Sequence, residues 1–178
     1  MLELFIKVNI EDKKIRKLVG ATIFIWNLII YSIPLNLLEY RIIKIPDSFL
    51  IYYTKIVYYF LKVLNLNVDL VDNNIITLDI IFSITPNCIG YKSSLGIFAV
   101  IMATPTKDIF SRLRWAIALT ILTFVINFFR VSSTIILFYF FRIDPVFLHN
   151  VLWAALSSII VLSMWLWFVR KNKKNMVY

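Results

Sequence analysis

The stretch Trp115 to Phe141, WAIALTILTFVINFFRVSSTIILFYFF, decides the fold. It is apolar over almost its whole length, and as a helix it is long enough to cross the ~30 Å hydrocarbon core of a bilayer. Asn127 and Arg130 interrupt the apolar pattern. An arginine at membrane depth costs at least ~2.5–3.5 kcal/mol on insertion scales, so Arg130 marks a candidate functional site. The stretch therefore predicts a membrane-spanning helix that carries a site.

A polar stripe runs along this predicted helix. Its members recur at steps of three or four residues, which places them on one helix face: Thr120, Thr123, Asn127, Arg130 and Thr134. The sequence offers no carboxylate at a similar depth to neutralise the arginine. An arginine in a span can also extend to the surface or cap carbonyl groups of neighbouring helices. The stripe favours a side chain that faces the interior of a bundle.

Composition extends the membrane assignment to the whole chain. The 178 residues are 61% hydrophobic with a mean hydropathy of +0.83, which is more apolar than a soluble domain of this size. The net charge of +9 comes from basic residues that cluster beside apolar runs. That pattern is a topology signal and argues against a nucleic-acid partner. One cysteine excludes an internal disulfide and one histidine excludes a His-cluster metal site, so no metal or cofactor is expected.

Upstream of the long stretch lies Thr85 to Gly90, TPNCIG, which contains Cys88, the one cysteine of the chain. This cysteine precedes a short apolar segment, Ile89 to Thr104, which predicts a helix that ends before Pro105. A thiol at a helix N-terminus is favoured as the thiolate. A lone cysteine in a hydrophobic protein is more often buried and inert. Taken alone, Cys88 leaves both interpretations open.

Downstream, Val146 to Val169 predicts the last helix, with His149 near its start. A histidine in such a position is often only a cap or an interface residue. Together with Cys88 and Arg130 it suggests a division of labour, because an imidazole can move the thiol proton and a cation can stabilise thiolate and oxyanion. Lys92, one turn after Cys88, is either a second cation or a side chain that extends to water.

Two further segments lie before Cys88. Pro46 to Leu66 carries Lys55 and Lys62 on one helix face and four interface-favouring tyrosines, so it either spans the membrane or lies in its outer interface. Val68 to Ile84 alternates apolar and polar residues around a turn at Asp72-Asn73-Asn74, which predicts a β-hairpin. Its aspartates match no cation-binding loop, so solvated turn and strand charges are the preferred interpretation.

Basic segments set the predicted topology. Lys13 to Lys17, Lys107 to Arg114 and Arg170 to Lys174 are all placed in the cytoplasm. We therefore predict one all-α domain over residues 1–178, a multi-pass bundle of four to five membrane helices with an interfacial helix and a short extracytoplasmic β-hairpin. The preferred count of four treats 46–66 as interfacial and takes these segments as spans: Leu18 to Leu38, Ile89 to Thr104, Trp115 to Phe141 and Val146 to Val169. Cys88, Arg130 and His149 then share a layer near the outer face.

The order of three short motifs resembles the exosortase/archaeosortase family. Cys88-Ile89-Gly90 opens a helix, Asn127-Phe128-Phe129-Arg130-Val131 lies within the next span, and His149 opens the last helix. The resemblance covers about half of the chain, from Val68 to its end. It implies a membrane cysteine transpeptidase in which Cys88 is the nucleophile, Arg130 stabilises thiolate and oxyanion, and His149 is the general base and acid. Asn127 and Lys92 are secondary candidates.

The resemblance also implies a substrate and a place. Its substrates are exported proteins whose C-terminal sorting signal consists of a short motif, a transmembrane helix and a basic tail. The enzyme cleaves near that helix, outside the cytoplasmic membrane, and transfers the new carboxyl terminus to an acceptor, in archaea thought to be a membrane lipid. Other intramembrane proteases need a GxSG serine or two aspartates, and this chain has neither. The alternative from another class is a non-catalytic membrane subunit, a transporter or assembly partner, in which Arg130 binds an anionic lipid or a partner.

Overall fold

The computed structural model describes residues 13–40, 42–77, 79–173 and 176, and helices make up most of them. Met1 to Asp12, Leu78 and Lys174, which contribute to the predicted N-terminal segment, hairpin and basic tail, lie outside the described residues. In chain order the elements are α1 (Lys13–Tyr31), α2 (Ile33–Glu39), α3 (Asp47–Val63), β1 (Asp69–Val71), β2 (Asn74–Ile76), β3 (Ile81–Ser83), α4 (Pro86–Ile89), α5 (Tyr91–Ala103), α6 (Ile109–Phe141), α7 (Pro145–Phe147), a π-helix (Leu148–Leu152) and α8 (Trp153–Lys171).

The longest element, α6, begins earlier than its apolar sequence indicates. Asp108 caps its first turn by accepting hydrogen bonds from the N–H groups of Phe110 and Ser111, at 3.0 and 3.2 Å. The predicted basic loop over residues 107–114 is therefore mostly helix. Arg112 is only 6% exposed, and its Nη1 donates to the carbonyl oxygen of Thr104 at 3.2 Å. Arg112 thus satisfies a carbonyl group just after α5 and ties the two helices together.

Two helices are long and apolar enough to cross a membrane, namely α6 and α8. The pair α1 and α2 is bent by 41° and makes a third candidate if it acts as one span. Pro34 lies in the first turn of α2, where the missing N–H interrupts the helical bonding and accounts for the break. The part of the chain that the structure describes therefore supplies two or three candidate spans, and the predicted count of four or five is not confirmed.

The shortfall in spans has a geometric reason. Helix α5 has 13 residues, which makes it ~20 Å long against a hydrocarbon core of ~30 Å. The predicted span over Ile89 to Thr104 is therefore too short to cross by itself. Helix α3 has 17 residues and is not among the candidate spans either. Its predicted place in the outer interface stays a prediction.

The predicted hairpin is a three-stranded antiparallel sheet with the order β1-β2-β3. The alternating run was expected to form one strand up to Ile84, but the chain reverses between Thr77 and Ile80. Both the N–H and the hydroxyl of Thr77 donate to the carbonyl oxygen of Ile80, at 2.9 and 3.1 Å, which closes a tight turn. Asp79 in this turn forms an ion pair with Arg142, the residue after α6. The sheet is thereby tied to the end of the long helix.

Two hydrophobic clusters meet along α6. The first joins α3, the sheet, α4 and the C-terminal half of α6, and its most buried members include Val57, Leu61, Ile75 and Ile135. The second joins α5, the first half of α6 and the end of α8, around Ile97, Leu119 and Phe168. Large apolar side chains also remain exposed along α1, α6 and α8, as expected for surfaces in contact with lipid. The middle of α6 lies between the clusters, and the polar stripe faces this junction.

Candidate active site

Cys88 lies in its own single turn of helix. Thr85 has extended backbone and Pro86 starts α4, and the N–H of Cys88 donates to the carbonyl oxygen of Thr85 at 2.9 Å. Gly90 then adopts a left-handed conformation, with φ of +81°, and separates α4 from α5. The expectation that Cys88 opens the membrane helix is therefore wrong in detail. A four-residue turn has little dipole of its own, so stabilisation of a thiolate must come from neighbouring side chains.

The cysteine turn is fixed to α6 by Asn127. Its Nδ2 donates to the carbonyl oxygen of Cys88 at 2.6 Å. A Cβ atom at Gly90 would come within 2.3 Å of the Asn127 Cγ, so the glycine makes room for the amide as well as permitting the backbone turn. The sequence motifs around Cys88 and Asn127 are therefore two halves of one contact. Half-buried Cys88 also has its Sγ 3.4 Å from the hydroxyl oxygen of Thr85.

Arg130 and His149 contact each other directly. The Nη2 of Arg130 lies 2.9 Å from the Nε2 of His149. Because a guanidinium can only donate, Nε2 accepts and the imidazole carries its proton on Nδ1 in this arrangement. Arg130 is 9% exposed, and its buried Nε has no hydrogen-bond partner among the described residues. The arginine also interacts electrostatically with Cys88. The structure thus brings the three predicted residues together, with the guanidinium in contact with the imidazole.

The π-helix positions His149 for this contact. Asp144 accepts a hydrogen bond from the N–H of Val146 at 3.0 Å and starts the short helix α7. The backbone then widens into the π-helix before it continues as α8. Such widened turns are rare and occur often at functional sites. The predicted last helix is therefore not regular at its start, and the irregular part carries the histidine.

Lys92, the other predicted cation, is held elsewhere. Its Nζ lies 2.8 Å from Oε2 of Glu39 at the end of α2, and both side chains are about half exposed. The hydroxyl of Tyr91 donates to the same carboxylate at 3.1 Å. The ammonium group of Lys92 therefore forms an ion pair that links α5 to the end of α2. Its contribution to the candidate site stays a prediction.

An open cleft of about 570 Å³ lies beside the cysteine turn. One wall consists of Thr85, Pro86 and Asn87, the three residues that precede Cys88. The opposite wall comes from the end of α2, the following segment and the start of α3: Leu38, Glu39, Ile43, Lys44, Ile45, Asp47 and Leu50. Its walls carry charges of both signs together with apolar side chains. The cleft is large enough to hold a short extended peptide beside the residues that precede Cys88.

Sequence reasoning missed Tyr53, which was grouped with three other tyrosines as an interface residue. In the structure it is 3% exposed, and its hydroxyl interacts electrostatically with Cys88 and Arg130. A signal was present, because Tyr53 shares the three- and four-residue spacing of Leu50, Val57 and Leu61. That spacing identifies it as part of the buried face of α3.

Comparison with known proteins gives one match. A family model described as transmembrane exosortase (Exosortase_EpsH) matches residues 16–170, which is the bulk of the chain and includes Cys88, Asn127, Arg130 and His149. No curated protein and no solved structure matches.

Proposed function

The chain belongs to the transmembrane exosortase family, and from that premise we propose that it is a membrane cysteine transpeptidase with Cys88 as nucleophile. The supporting observation is that the one histidine of the chain contacts a buried arginine that also interacts electrostatically with the one cysteine. The family implies exported proteins with C-terminal sorting signals as substrates. The cleft beside the cysteine turn is the proposed site for the peptide segment that contains the scissile bond.

The proposed reaction begins with attack of the Cys88 sulfur on the carbonyl carbon of the scissile peptide bond. The thiol proton passes to His149, and the negative charge of the tetrahedral intermediate is stabilised by Arg130. The carbon–nitrogen bond then breaks, and His149 returns the proton to the leaving amine. A thioester remains on Cys88, which an acceptor nucleophile resolves as it releases the thiol. A membrane lipid is the proposed acceptor.

The contact between Arg130 and His149 suggests how the two roles are coordinated. In the described arrangement the guanidinium occupies Nε2 of the imidazole, the atom that would accept a proton. A developing oxyanion is a stronger acceptor than a neutral imidazole and would draw the guanidinium toward itself. That movement would free Nε2 to act as the base. The proposed base would therefore be released as the substrate engages the site.

The proposed setting is the cytoplasmic membrane, with the site on its outer side and one domain over residues 1–178. The basic residues near the ends of the chain and around Lys107 support this orientation through the positive-inside rule. The exposed ion pair between Asp79 and Arg142 suits an aqueous face at this end of α6, and the basic segments assign that face to the outer side.

The decisive experiment expresses the protein together with a native exported protein that ends in an apolar helix and a basic cluster. We expect Cys88→Ala to leave this substrate uncleaved in the membrane. Cys88→Ser should be nearly as inactive, because a hydroxyl is much harder to deprotonate than a thiol. Ser158→Ala on the exposed side of α8 is the matched control and should process normally. Normal processing by Cys88→Ala would leave a non-catalytic membrane subunit as the remaining function.

A further inference from the structure

The hydroxyl of Tyr53 is an unused donor at the centre of the protein. The residue is 3% exposed, and its buried oxygen makes no hydrogen bond of normal geometry among the described residues, although the Asn127 amide is close enough to interact with it. Buried polar groups in native proteins are nearly always paired, because a buried donor without an acceptor is unfavourable. Tyr53 belongs to an apolar cluster, where a phenylalanine would bury no hydroxyl. The unpaired hydroxyl therefore calls for a physical reason.

The ring of Tyr53 is packed in the buried cluster that Cys88 also contacts. It packs edge-on against Phe124 of α6, with ring centroids 5.7 Å apart and planes at 70°. Leu50 and Val57, one turn away on either side, are buried in the same cluster. From this position the hydroxyl interacts electrostatically with Cys88 and Arg130. Helix α3 thus contributes a fourth element to a site that otherwise comes from α4, α6 and the π-helix.

We propose that the Tyr53 hydroxyl donates a hydrogen bond to the Cys88 sulfur when the thiolate forms. A neutral thiol is a weak acceptor, whereas a thiolate accepts a strong, charge-assisted bond. The donor is therefore unpaired in the resting protein and paired in the reactive one. Its effect on catalysis rests on the proposed transpeptidase function, but its effect on the thiol does not.

The other titratable groups near the thiol leave this role open for Tyr53. Arg130 approaches from α6 and already donates to His149 of the π-helix. Lys92 and Tyr91 at the start of α5 are engaged by Glu39 of α2. The short turn α4 contributes little dipole of its own. The hydroxyl oxygen of Thr85 already lies 3.4 Å from the sulfur. The Tyr53 hydroxyl would add a further donor and lower the cost of forming the anion while the guanidinium is engaged by His149.

The test measures the rate at which iodoacetamide alkylates Cys88 in the full-length protein as a function of pH. Only one thiol is present, so the label reports on it alone. Tyr53→Phe removes the hydroxyl and keeps the ring, and we expect alkylation near neutral pH to fall about tenfold, with the profile moved by about one pH unit upward. Tyr52→Phe, on the exposed side of the same helix, is the control and should match the wild type. An unchanged profile in Tyr53→Phe would overturn the proposal.

A second variant covers the case in which Tyr53→Phe does not fold. Replacing Tyr53 with 3-fluorotyrosine keeps the shape of the ring and makes the hydroxyl a stronger donor. Alkylation of Cys88 below neutral pH should then be faster than in the wild type. An equal rate would count against the hydrogen bond as firmly as an unchanged profile in the phenylalanine variant.

Substrate processing separates this inference from the proposed function. We expect Tyr53→Phe to lower kcat and to leave KM unchanged, since the hydroxyl meets the sulfur and not the substrate cleft. If Cys88→Ala is inactive and Tyr53→Phe keeps both its alkylation profile and its kcat, the inference about Tyr53 fails alone. If Cys88→Ala processes substrate normally while Tyr53→Phe still shifts the alkylation profile, the transpeptidase function fails and the role of Tyr53 stands.

Discussion

Gly90→Ala should destabilise the protein and disrupt its site. At φ of +81° an alanine costs about 1–2 kcal/mol, because its Cβ crowds the following carbonyl oxygen. The new Cβ would also lie 2.3 Å from the Cγ of Asn127, so the amide must move. Loss of its 2.6 Å hydrogen bond to the carbonyl of Cys88 removes a further ~0.5–1.5 kcal/mol. We expect a total destabilisation of roughly 1.5–3.5 kcal/mol, summed over these two effects.

Gly96→Ala provides the matched control. Nothing lies within 4 Å of a Cβ built at Gly96, which is in the interior of α5. Alanine is the better helix former there, so this variant should be stabilised by about 0.5–1 kcal/mol. Denaturant or thermal unfolding in detergent, together with substrate processing, measures both variants. Equal stability of Gly90→Ala and Gly96→Ala would refute the assignment of the glycine to a crowded left-handed turn.

A double-mutant cycle divides the cost at Gly90 into its parts. Asn127→Ala alone loses the hydrogen bond to the cysteine turn but leaves room at the glycine. In the double variant the clash is absent, and the loss comes from the backbone strain and the missing hydrogen bond, which is then counted only once. The stability loss of the double variant should therefore be smaller than the sum of the two single losses. Strict additivity would show that the amide and the glycine do not contact each other.

Three other experiments test the site and its setting. Arg130→Ala should abolish processing; Arg130→Lys should retain part of the activity if charge alone matters, and should fail as well if the guanidinium must reach two partners. Full activity in Arg130→Ala would remove it from the mechanism. His149→Ala should slow formation of the thioester, and higher pH should partly restore the rate because thiolate then forms without a base; a pH-independent defect would contradict its role as base. In a Cys88→Ala background, a cysteine introduced at Asn73 should react with an impermeant maleimide in intact cells and one at Lys107 should not. The reverse labelling pattern would overturn the orientation.

The elements that follow from local sequence were predicted well. The length and apolar composition of the run that ends at Phe141 were enough to predict a helix there. The polar stripe correctly indicated that Asn127 and Arg130 are buried on the same face of that helix. The sequence also indicated strands before Cys88. The break between Thr77 and Ile80 was missed because Thr77 fits the alternating pattern of a strand. The sequence does not show that its hydroxyl donates to the carbonyl oxygen of Ile80 and closes a turn.

The parts of the site that depend on tertiary contact could not be read in advance. The left-handed turn at Gly90 follows from the approach of Asn127, and these residues are far apart in sequence. The pairing of Arg130 with His149 likewise depends on how the last helix is placed. The spacing of Tyr53 with Leu50 and Val57 indicated that it is buried, but its proximity to the site depends on tertiary contact. Cys88, Arg130 and His149 as catalytic residues stay predictions until the variants are measured.

His149 lies in the π-helix Leu148–Leu152, so the direction of its side chain depends on the extra residue in that turn. A π-turn corresponds to one residue inserted into an α-helix, and one residue rotates a helix by about 100°. Deleting a single residue from this segment would therefore turn the imidazole away from Arg130, although every side chain of the site would still be present. Moving the histidine to the neighbouring position in the shortened chain should restore the contact. A relative with a regular α-helix here would accordingly carry its histidine one place out of alignment with this one.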